Sequence, residues 1–131
     1  MTTLLDTGPL VAYLYKNDSR HAWVKRQTAH LSVPLVSCEP VISEAHFLLS
    51  DVPPGPQRLL DLLDRDVIRF PFSYANHAGR VHDLMRTYAD QPMSFADACL
   101  VCMSEIYDDT QVFTLDGDFR VYRRHEDERI P

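Results

Sequence analysis

The sequence contains 131 residues, of which 45% are hydrophobic, and this is enough apolar surface for one sizeable core. We therefore expect a single domain over residues 1–131. The formal net charge of −6 excludes a protein that coats nucleic acid through a generally basic surface.

Segments with strand-like and helix-like hydrophobic spacing alternate along the chain. In chain order, this spacing predicts a strand at residues 3–5, helices at about 9–14 and 21–31, a strand at 34–38, helices at 40–49 and 57–63, a strand at 67–72, helices at 74–88 and 94–107, and a strand at 111–115. The alternation predicts an α/β fold, namely a three-layer α/β/α sandwich with a mostly parallel central sheet.

The remaining segments are expected to lie outside these elements. Residues 51–56 include three prolines and are predicted to form a loop, because consecutive prolines cannot sit within a helix. The charged residues 123–131 are expected to lie on the surface. Several large apolar side chains are assigned to the core: Trp23, Val24, Leu59, Leu60, Leu62, Leu63, Phe70, Phe72 and Tyr74.

The cysteines and the start of the chain indicate the compartment. Three cysteines are too few for a disulfide framework, which favours a reducing environment. The first residues, MTTLLD, lack the basic and apolar pattern of a signal peptide. No apolar stretch reaches about 18 residues, so we expect no membrane span and a cytoplasmic protein.

Four acidic side chains lie within or beside the hydrophobic segments. They are Asp6, Glu44, Asp97 and Asp116. Burying a carboxylate is costly unless another group compensates its charge, so four such positions suggest one pocket around a divalent cation. In open parallel sheets, ligands bind at the carboxyl ends of the strands. Asp6 and Asp116 follow the first and last predicted strands, and the other two acids are expected in the first turns of helices.

Each acid also has a structural explanation when it is considered alone. Asp97 stands three residues after Ser94, in the capping-box position, where the helix dipole favours a carboxylate. Asp6 could cap the first helix, and Asp116 could be a turn residue, because Asp-Gly is a common turn pair. Glu44 has fewer polar neighbours and a weaker structural explanation. The four positions together favour a shared site.

The order of four segments resembles the PIN domain family, in particular the VapC-type toxins of toxin–antitoxin pairs. The segments are LLDTGPLVAYL, SEAHFLL, SFADACLVCMSE and VFTLDGDF, and the resemblance extends from Thr3 to about Tyr122. It implies a PIN-like fold in which the four acids match the acidic quartet of the family. It also implies that Thr7 and Thr114 match the small hydroxyl residues near that site.

Two further acids compete with members of the quartet. Asp118 is a second acid in the last segment, and it could assist or replace Asp116 as a metal ligand. Glu39 is a rival to Glu44, but it precedes Pro40 and is expected to lie before the helix.

The chemistry of an all-carboxylate site points to a hard cation. Hydrolysis of a phosphodiester needs an activated water and neutralised phosphate oxygens, which one or two Mg²⁺ or Mn²⁺ ions can supply. Zinc or iron would call for His or Cys ligands. We expect Asp6, Asp97 and Asp116 to hold the metal, while Glu44 either binds it or positions the attacking water.

The resemblance also implies a function and partners. It implies a metal-dependent endoribonuclease with an RNA substrate, a cognate antitoxin protein and a homodimer. The candidate dimer contacts are the side chains of Phe47, Leu48, Leu84 and Met85. The arginines of the last segments could contact RNA phosphates or simply form a solvated surface: Arg120, Arg123 and Arg124.

Two alternative classes remain. A phosphotransfer enzyme of the haloacid-dehalogenase type needs a second Asp two residues after Asp6, where Gly8 stands, and a late Lys, whereas the two lysines lie at positions 16 and 25. A catalytically inactive PIN-like scaffold that binds RNA or protein is the stronger alternative. Such a scaffold could lose carboxylates, yet all four are present in this sequence.

Overall fold

The computed structural model describes residues 1–120, 122–124 and 128–131, and the backbone alone at residue 120. Up to residue 113 the strands and helices follow the order that the sequence predicts, whereas two short strands beyond it were not predicted. The helices are α1 (Thr7–Leu14), α2 (His21–Thr28), α3 (Glu39–Leu49), α4 (Gly55–Asp64), α5 (Tyr74–Thr87) and α6 (Phe95–Ile106). The strands are β1 (Thr2–Leu5), β2 (Leu35–Val36), β3 (Ile68–Arg69), β4 (Thr110–Phe113), β5 (Arg123–Arg124) and β6 (Glu128–Arg129). A 3₁₀ turn covers Gly117–Arg120.

The central sheet has the strand order β3-β2-β1-β4, and all three pairings in it are parallel. β1 therefore lies inside the sheet, where Leu4 and Leu5 are buried because helices cover both faces. Leu5 stands beside Phe113 in the register of β1 and β4. The short strands β5 and β6 form a separate antiparallel pair. The predicted α/β/α sandwich with a mostly parallel sheet is confirmed.

Helix α6 is the most deeply buried element. Every residue from position 96 to position 104 is buried, as expected for a helix that packs between the sheet and α5 rather than at the surface. Its two cysteines, Cys99 and Cys102, are free thiols that are fully enclosed in the core. A buried position in the middle of a helix explains this C-x-x-C sequence by packing alone.

The boundaries differ from the prediction where local chemistry decides them. Gly55 and Pro56 belong to α4 and not to the predicted loop, because Pro is tolerated in the first turn of a helix. α2 ends at Thr28. β2 and β3 have only two residues each, so both are shorter than the apolar runs at 34–38 and 67–72 from which they were predicted.

Some of the predicted core residues lie at the surface. Trp23 is 44% exposed, although Val24 beside it is fully buried, because only one face of the short helix α2 meets the core. Leu60 is 57% exposed for the same reason, since the adjacent Leu59 occupies the inner position of α4. Phe70 and Tyr74 are also exposed. No helix in the described part of the chain is long and apolar enough to cross a membrane.

Candidate active site

The site begins where β1 and β4 end side by side. Asp6 follows β1 and is the N-cap of α1, where its Oδ1 accepts a hydrogen bond of 2.8 Å from the amide of Thr7. Thr114 follows β4, and its hydroxyl donates to Oδ2 of Asp6 at 2.6 Å. The predicted capping role of Asp6 is therefore confirmed. The carboxylate, only 5% exposed, also faces a cavity at the carboxyl edge of the sheet.

Glu44 reaches this cavity from α3. The hydroxyl of Thr7 donates to Oε2 of Glu44 at 2.9 Å, so the start of α1 holds the side chain of its neighbouring helix. Glu44 is the sixth residue of α3, in its second turn and not in its first as expected. The expectation that Glu39 precedes the helix is wrong, because Glu39 is the first residue of α3. Glu39 is exposed, whereas Glu44 is half-buried.

Asp97 occupies the start of α6 and combines two roles. Its carboxylate accepts a hydrogen bond from the amide of Ser94 at 3.1 Å, while the Ser94 hydroxyl accepts one from the amide of Asp97 at 3.0 Å. The predicted capping box is thus present. The hydroxyl of the buried Tyr122 donates to Oδ2 of Asp97 at 3.3 Å. Asp97 also lines the same cavity as Asp6.

Asp116 lies in the turn that follows β4. Its amide donates to the hydroxyl of Thr114 at 2.9 Å, and its Oδ1 accepts a hydrogen bond from the amide of Asp118 at 2.9 Å. Asp116 is therefore both a turn residue and a member of the cavity wall. Asp118 is the second residue of the 3₁₀ turn that follows and does not belong to that wall.

These residues surround a cavity of about 350 Å³, which we call the acidic pocket. It contains all four carboxylates of the predicted quartet. Its lining residues are Asp6, Thr7, Gly8, Arg20, Glu44, Leu48, Pro92, Ser94, Asp97, Leu115 and Asp116. Gly8 lies beside Leu115, and a Cβ at position 8 would be in ordinary van der Waals contact with the Cβ of Leu115 at 3.4 Å. The start of α1 thus lies against the turn that carries Asp116.

Burial and like charges raise the pKa values of two carboxyl groups in the acidic pocket. Burial, supported by the charges of Asp6 and Asp116, raises the pKa of Asp97 to about 6, against the opposing effect of its hydrogen bonds with Ser94. Burial also raises the pKa of Asp6, and the charges of Asp116 and Glu44 act in the same direction. The hydrogen bonds from Thr114 and Thr7 oppose that rise.

The charge of the acidic pocket is not neutralised by basic side chains of the described residues. None of the four carboxylates forms an ion pair there with a Lys, Arg or His. Arg20 lines the pocket, but its ion pair is with Asp18 at 3.4 Å. A group of carboxylates without a positive partner favours the binding of a cationic ligand.

The donors of the acidic pocket fit a hard divalent cation, because its polar side chains other than Arg20 offer carboxylate and hydroxyl oxygens, and none of them is His or Cys. In the described part of the chain, no three His, Cys, Asp or Glu side chains converge closely enough to hold one metal ion. Two of these carboxylates accept hydrogen bonds from threonine hydroxyls, Glu44 from Thr7 and Asp6 from Thr114. Asp6, Asp97 and Asp116 are the candidate ligands in the wall of the pocket, and their side chains would have to move closer together to hold one ion.

The sequence did not indicate three of the residues that complete the site. Tyr122 lies in a charged segment that gives no sign of burial, yet its ring is fully enclosed and packs against Phe119 and Tyr88. Arg20 precedes an ordinary amphipathic helix. Ser94 was identified only as a cap, and its place in the pocket wall depends on how α6 meets the sheet.

The arginines near the C-terminal end of the described chain make contacts within the protein. Arg123 donates from Nη1 to the carbonyl of Tyr122, and Arg124 pairs with Glu128. The side chain of Arg120 lies outside the described residues. The hypothesis that this group contacts RNA therefore gains no support from Arg123 or Arg124.

Two comparisons relate this fold and site to known proteins, and no match was found among curated proteins. The backbone is similar to the crystal structure of Mycobacterium tuberculosis VapC20, a Sarcin-Ricin loop cleaving toxin, with a TM-score of 0.75. The likeness covers 92% of this chain and 94% of VapC20 at 20% identity, so it concerns the fold alone. The family model of the PIN domain matches residues 3–124, which include every residue of the acidic pocket. The chain therefore belongs to the PIN domain family.

Proposed function

We propose that the protein is a metal-dependent endoribonuclease and the toxin of a type II toxin–antitoxin system. The observation that carries this proposal is the convergence of four carboxylates, from four separate segments, on one pocket at the carboxyl edge of a parallel sheet. Two of them are buried without a cationic partner among the described residues. Membership of the PIN domain family supports the same reading.

The side chains divide the work of phosphodiester hydrolysis among them. Bound Mg²⁺ or Mn²⁺ would supply charge neutralisation at the phosphate and a water of lowered pKa. Asp6, Asp97 and Asp116 would hold the ion, and Asp118 would act only through the turn that orients Asp116. Glu44 is fixed through Oε2 by Thr7, so its Oε1 can accept a hydrogen bond from the attacking water and orient it.

The supporting contacts keep these carboxylates in place. The hydroxyl of Thr114 binds Asp6 and also accepts from the amide of Asp116, so one side chain joins two proposed ligands. The hydroxyl of Tyr122 and the amide of Ser94 both donate to Oδ2 of Asp97. Preorganised ligands of this kind reduce the cost of arranging the site when the cation and the substrate bind.

The proposed partners follow from the charge and the exposed apolar surface. A cognate antitoxin would neutralise the acidic pocket with an arginine, which is permanently charged and bidentate toward carboxylates. A homodimer would use Phe47 and Leu48, which are 76% and 56% exposed on α3. Leu84 cannot contribute as predicted, because it is buried in the core, and Met85 packs against that core. A cytoplasmic location belongs to the same proposal.

Cleavage of a fluorescently labelled RNA pool by the purified protein tests the function. We expect cleavage in Mg²⁺ or Mn²⁺, none in EDTA, and none by Asp97→Asn or Asp116→Asn. Asp83→Asn is the matched control, because Asp83 is exposed on α5 and does not line the acidic pocket. RNA binding without any metal-dependent cleavage would instead support the catalytically inactive scaffold.

A further inference from the structure

A second cavity, which we call the basic pocket, gathers positive charge on a chain whose net charge is −6. Its volume is about 260 Å³. Its lining residues are Tyr13, Leu14, Lys16, His21, Lys25, Arg58, Asp61, Leu62 and Arg65. Both lysines of the sequence and two arginines thus face one cavity, against the single carboxylate of Asp61.

The four permanent cations of the basic pocket are not neutralised by neighbouring acids. None of Lys16, Lys25, Arg58 and Arg65 forms an ion pair with a described residue, and Asp61 forms none either. Like charges that are held close together repel one another, so an anionic ligand relieves this repulsion when it binds. The basic pocket is therefore complementary to an anion in the same way that the acidic pocket is complementary to a cation.

Two of the basic side chains are fixed by the carboxyl end of α1. Arg58 is half-buried, and its Nη1 donates to the carbonyl of Leu14 at 3.4 Å. Nδ1 of the half-buried His21 lies 2.6 Å from the carbonyl of Ala12, which can only accept, so Nδ1 carries the hydrogen. Arg58 and His21 are thus held in place, whereas Lys16, Lys25 and Arg65 are exposed rim residues whose side chains can reach a ligand.

The basic and acidic pockets lie at opposite ends of α1. Thr7 lines the acidic pocket and Leu14 lines the basic pocket, and a helix of eight residues separates its ends by about 12 Å. The start of α2 borders both, because Arg20 lines the acidic pocket and the next residue, His21, lines the basic pocket. A few nucleotides of single-stranded RNA can span this distance along the surface.

We propose that the basic pocket binds backbone phosphates of the RNA substrate a few nucleotides away from the phosphate that is cut. This inference rests on the proposed nuclease function. The acidic pocket repels a polyanion until a cation is bound, so an RNA-cleaving enzyme with this pocket needs attraction from another part of its surface. The described residues supply a contiguous group of unpaired cations at the basic pocket. An acidic polypeptide is also negatively charged, as RNA is. RNA is favoured because the start of α2 borders both pockets, so one strand can lie across both.

A charge-matched pair of variants tests the proposal. The pocket variant carries Lys16→Gln, Lys25→Gln and Arg65→Gln, which change only exposed rim residues. The control variant carries Arg26→Gln, Arg86→Gln and Arg129→Gln, which are also exposed and do not line the basic pocket. Both variants lose the same formal charge, so general electrostatic attraction falls equally in the two proteins. Thermal unfolding confirms that each is folded.

The measurement is the fluorescence anisotropy of a labelled single-stranded RNA of random sequence, in EDTA and over a series of salt concentrations. We expect the pocket variant to bind about tenfold more weakly, and its slope of log Kd against log salt to fall by about two, since each phosphate contact in a single strand contributes about 0.7. The control variant should change Kd by less than about twofold. Equal losses in the two variants would overturn the proposal.

Two further outcomes separate this proposal from its alternatives. If polyglutamate binds the wild type and not the pocket variant, while RNA affinity is the same for both, the pocket serves an acidic polypeptide and the RNA proposal is wrong. Because the binding assay contains no divalent cation, it does not depend on cleavage. A wild type that binds RNA through the basic pocket but never cleaves it would refute the nuclease function and would still support RNA binding here.

Discussion

Thr114 donates its hydroxyl hydrogen to Asp6 at 2.6 Å, although the two residues are 108 positions apart in the sequence. The contact joins the ends of β1 and β4, which are parallel neighbours in the sheet. It also opposes the rise in the pKa of Asp6 that burial causes. A single hydroxyl therefore favours the ionised form of a buried carboxyl group.

Replacement of Thr114 by Val should weaken this arrangement. We expect a loss of about 1.5–3 kcal/mol in the free energy of unfolding, because a hydrogen bond to a charged group disappears while the shape is kept. Thr114→Ser retains the hydroxyl and should lose much less. Urea unfolding in EDTA measures both. Equal stabilities for the two variants would show that the hydroxyl does not support Asp6.

Asp97→Asn should abolish cleavage and leave the metal-free fold at least as stable as the wild type at neutral pH. The substitution removes one of several like charges and keeps an oxygen that can accept from Ser94 and Tyr122. Thermal unfolding of both proteins with and without Mg²⁺ checks this. The wild type should gain stability from Mg²⁺, and the variant should gain much less. A wild type that gains none would contradict the shared metal site.

The pH dependence of stability should also depend on Asp97. Its pKa is about 6 in the folded protein and 3.8 in its ordinary state, so the folded state binds more protons between these values. Metal-free stability should therefore be highest at the acidic side and fall as the pH rises through 6, by at most about 3 kcal/mol from this group. Urea unfolding at several pH values should show a smaller fall in Asp97→Asn. Parallel curves for the two proteins would contradict the shifted pKa.

A partner that inhibits through an arginine should compete with the metal for the acidic pocket. Its affinity should fall as Mg²⁺ rises at fixed ionic strength, and also in Asp6→Asn or Asp116→Asn, because both changes remove charge that a guanidinium needs. Titration calorimetry with the candidate antitoxin measures this. Replacing the inserted Arg by Lys in the partner is the control and should weaken binding. Affinity that ignores both metal and mutation would place the partner elsewhere.

The proposed homodimer should depend on the exposed α3 surface. Phe47→Asp should convert a dimer into a monomer, because it places a charge in the centre of the apolar contact. Leu60→Asp is the matched control, since Leu60 is also an exposed apolar residue but lies on α4. Light scattering gives the mass of each protein. A wild type that is a monomer at tens of micromolar would contradict the dimer.

The sequence predicted the order of the elements and the four acids because both depend on local patterns. Segments with strand-like spacing of apolar residues alternate with segments of helix-like spacing, and each acid lies within or beside an apolar segment. The sequence could not predict which face of a short helix meets the core, so Trp23 and Leu60 were placed wrongly. Leu84 was assigned to a dimer contact because the inner face of α5 was not recognised, although this residue packs inside the monomer.

The other residues around the site depend on contacts between distant segments. Tyr122 becomes buried only because the segment after the 3₁₀ turn returns to the start of α6, and nothing in the sequence near Tyr122 signals this. The basic pocket likewise combines residues from α1, α2 and α4 with the segment that follows each of α1 and α4. Neither arrangement follows from spacing along one segment.

The long separation in sequence between β1 and its neighbour β4 has a consequence for synthesis. A ribosome produces β1, α1 and α3 first, but β1 lacks its second neighbour until residues 110–113 emerge. Thr114, Asp116 and Tyr122 follow β4, so a nascent chain that stops before them has neither the partner of Asp6 nor the hydroxyl that binds Asp97. The proposed site therefore cannot assemble before residues 110–122 have been synthesised, and nascent chains that stop short of these residues should be inactive.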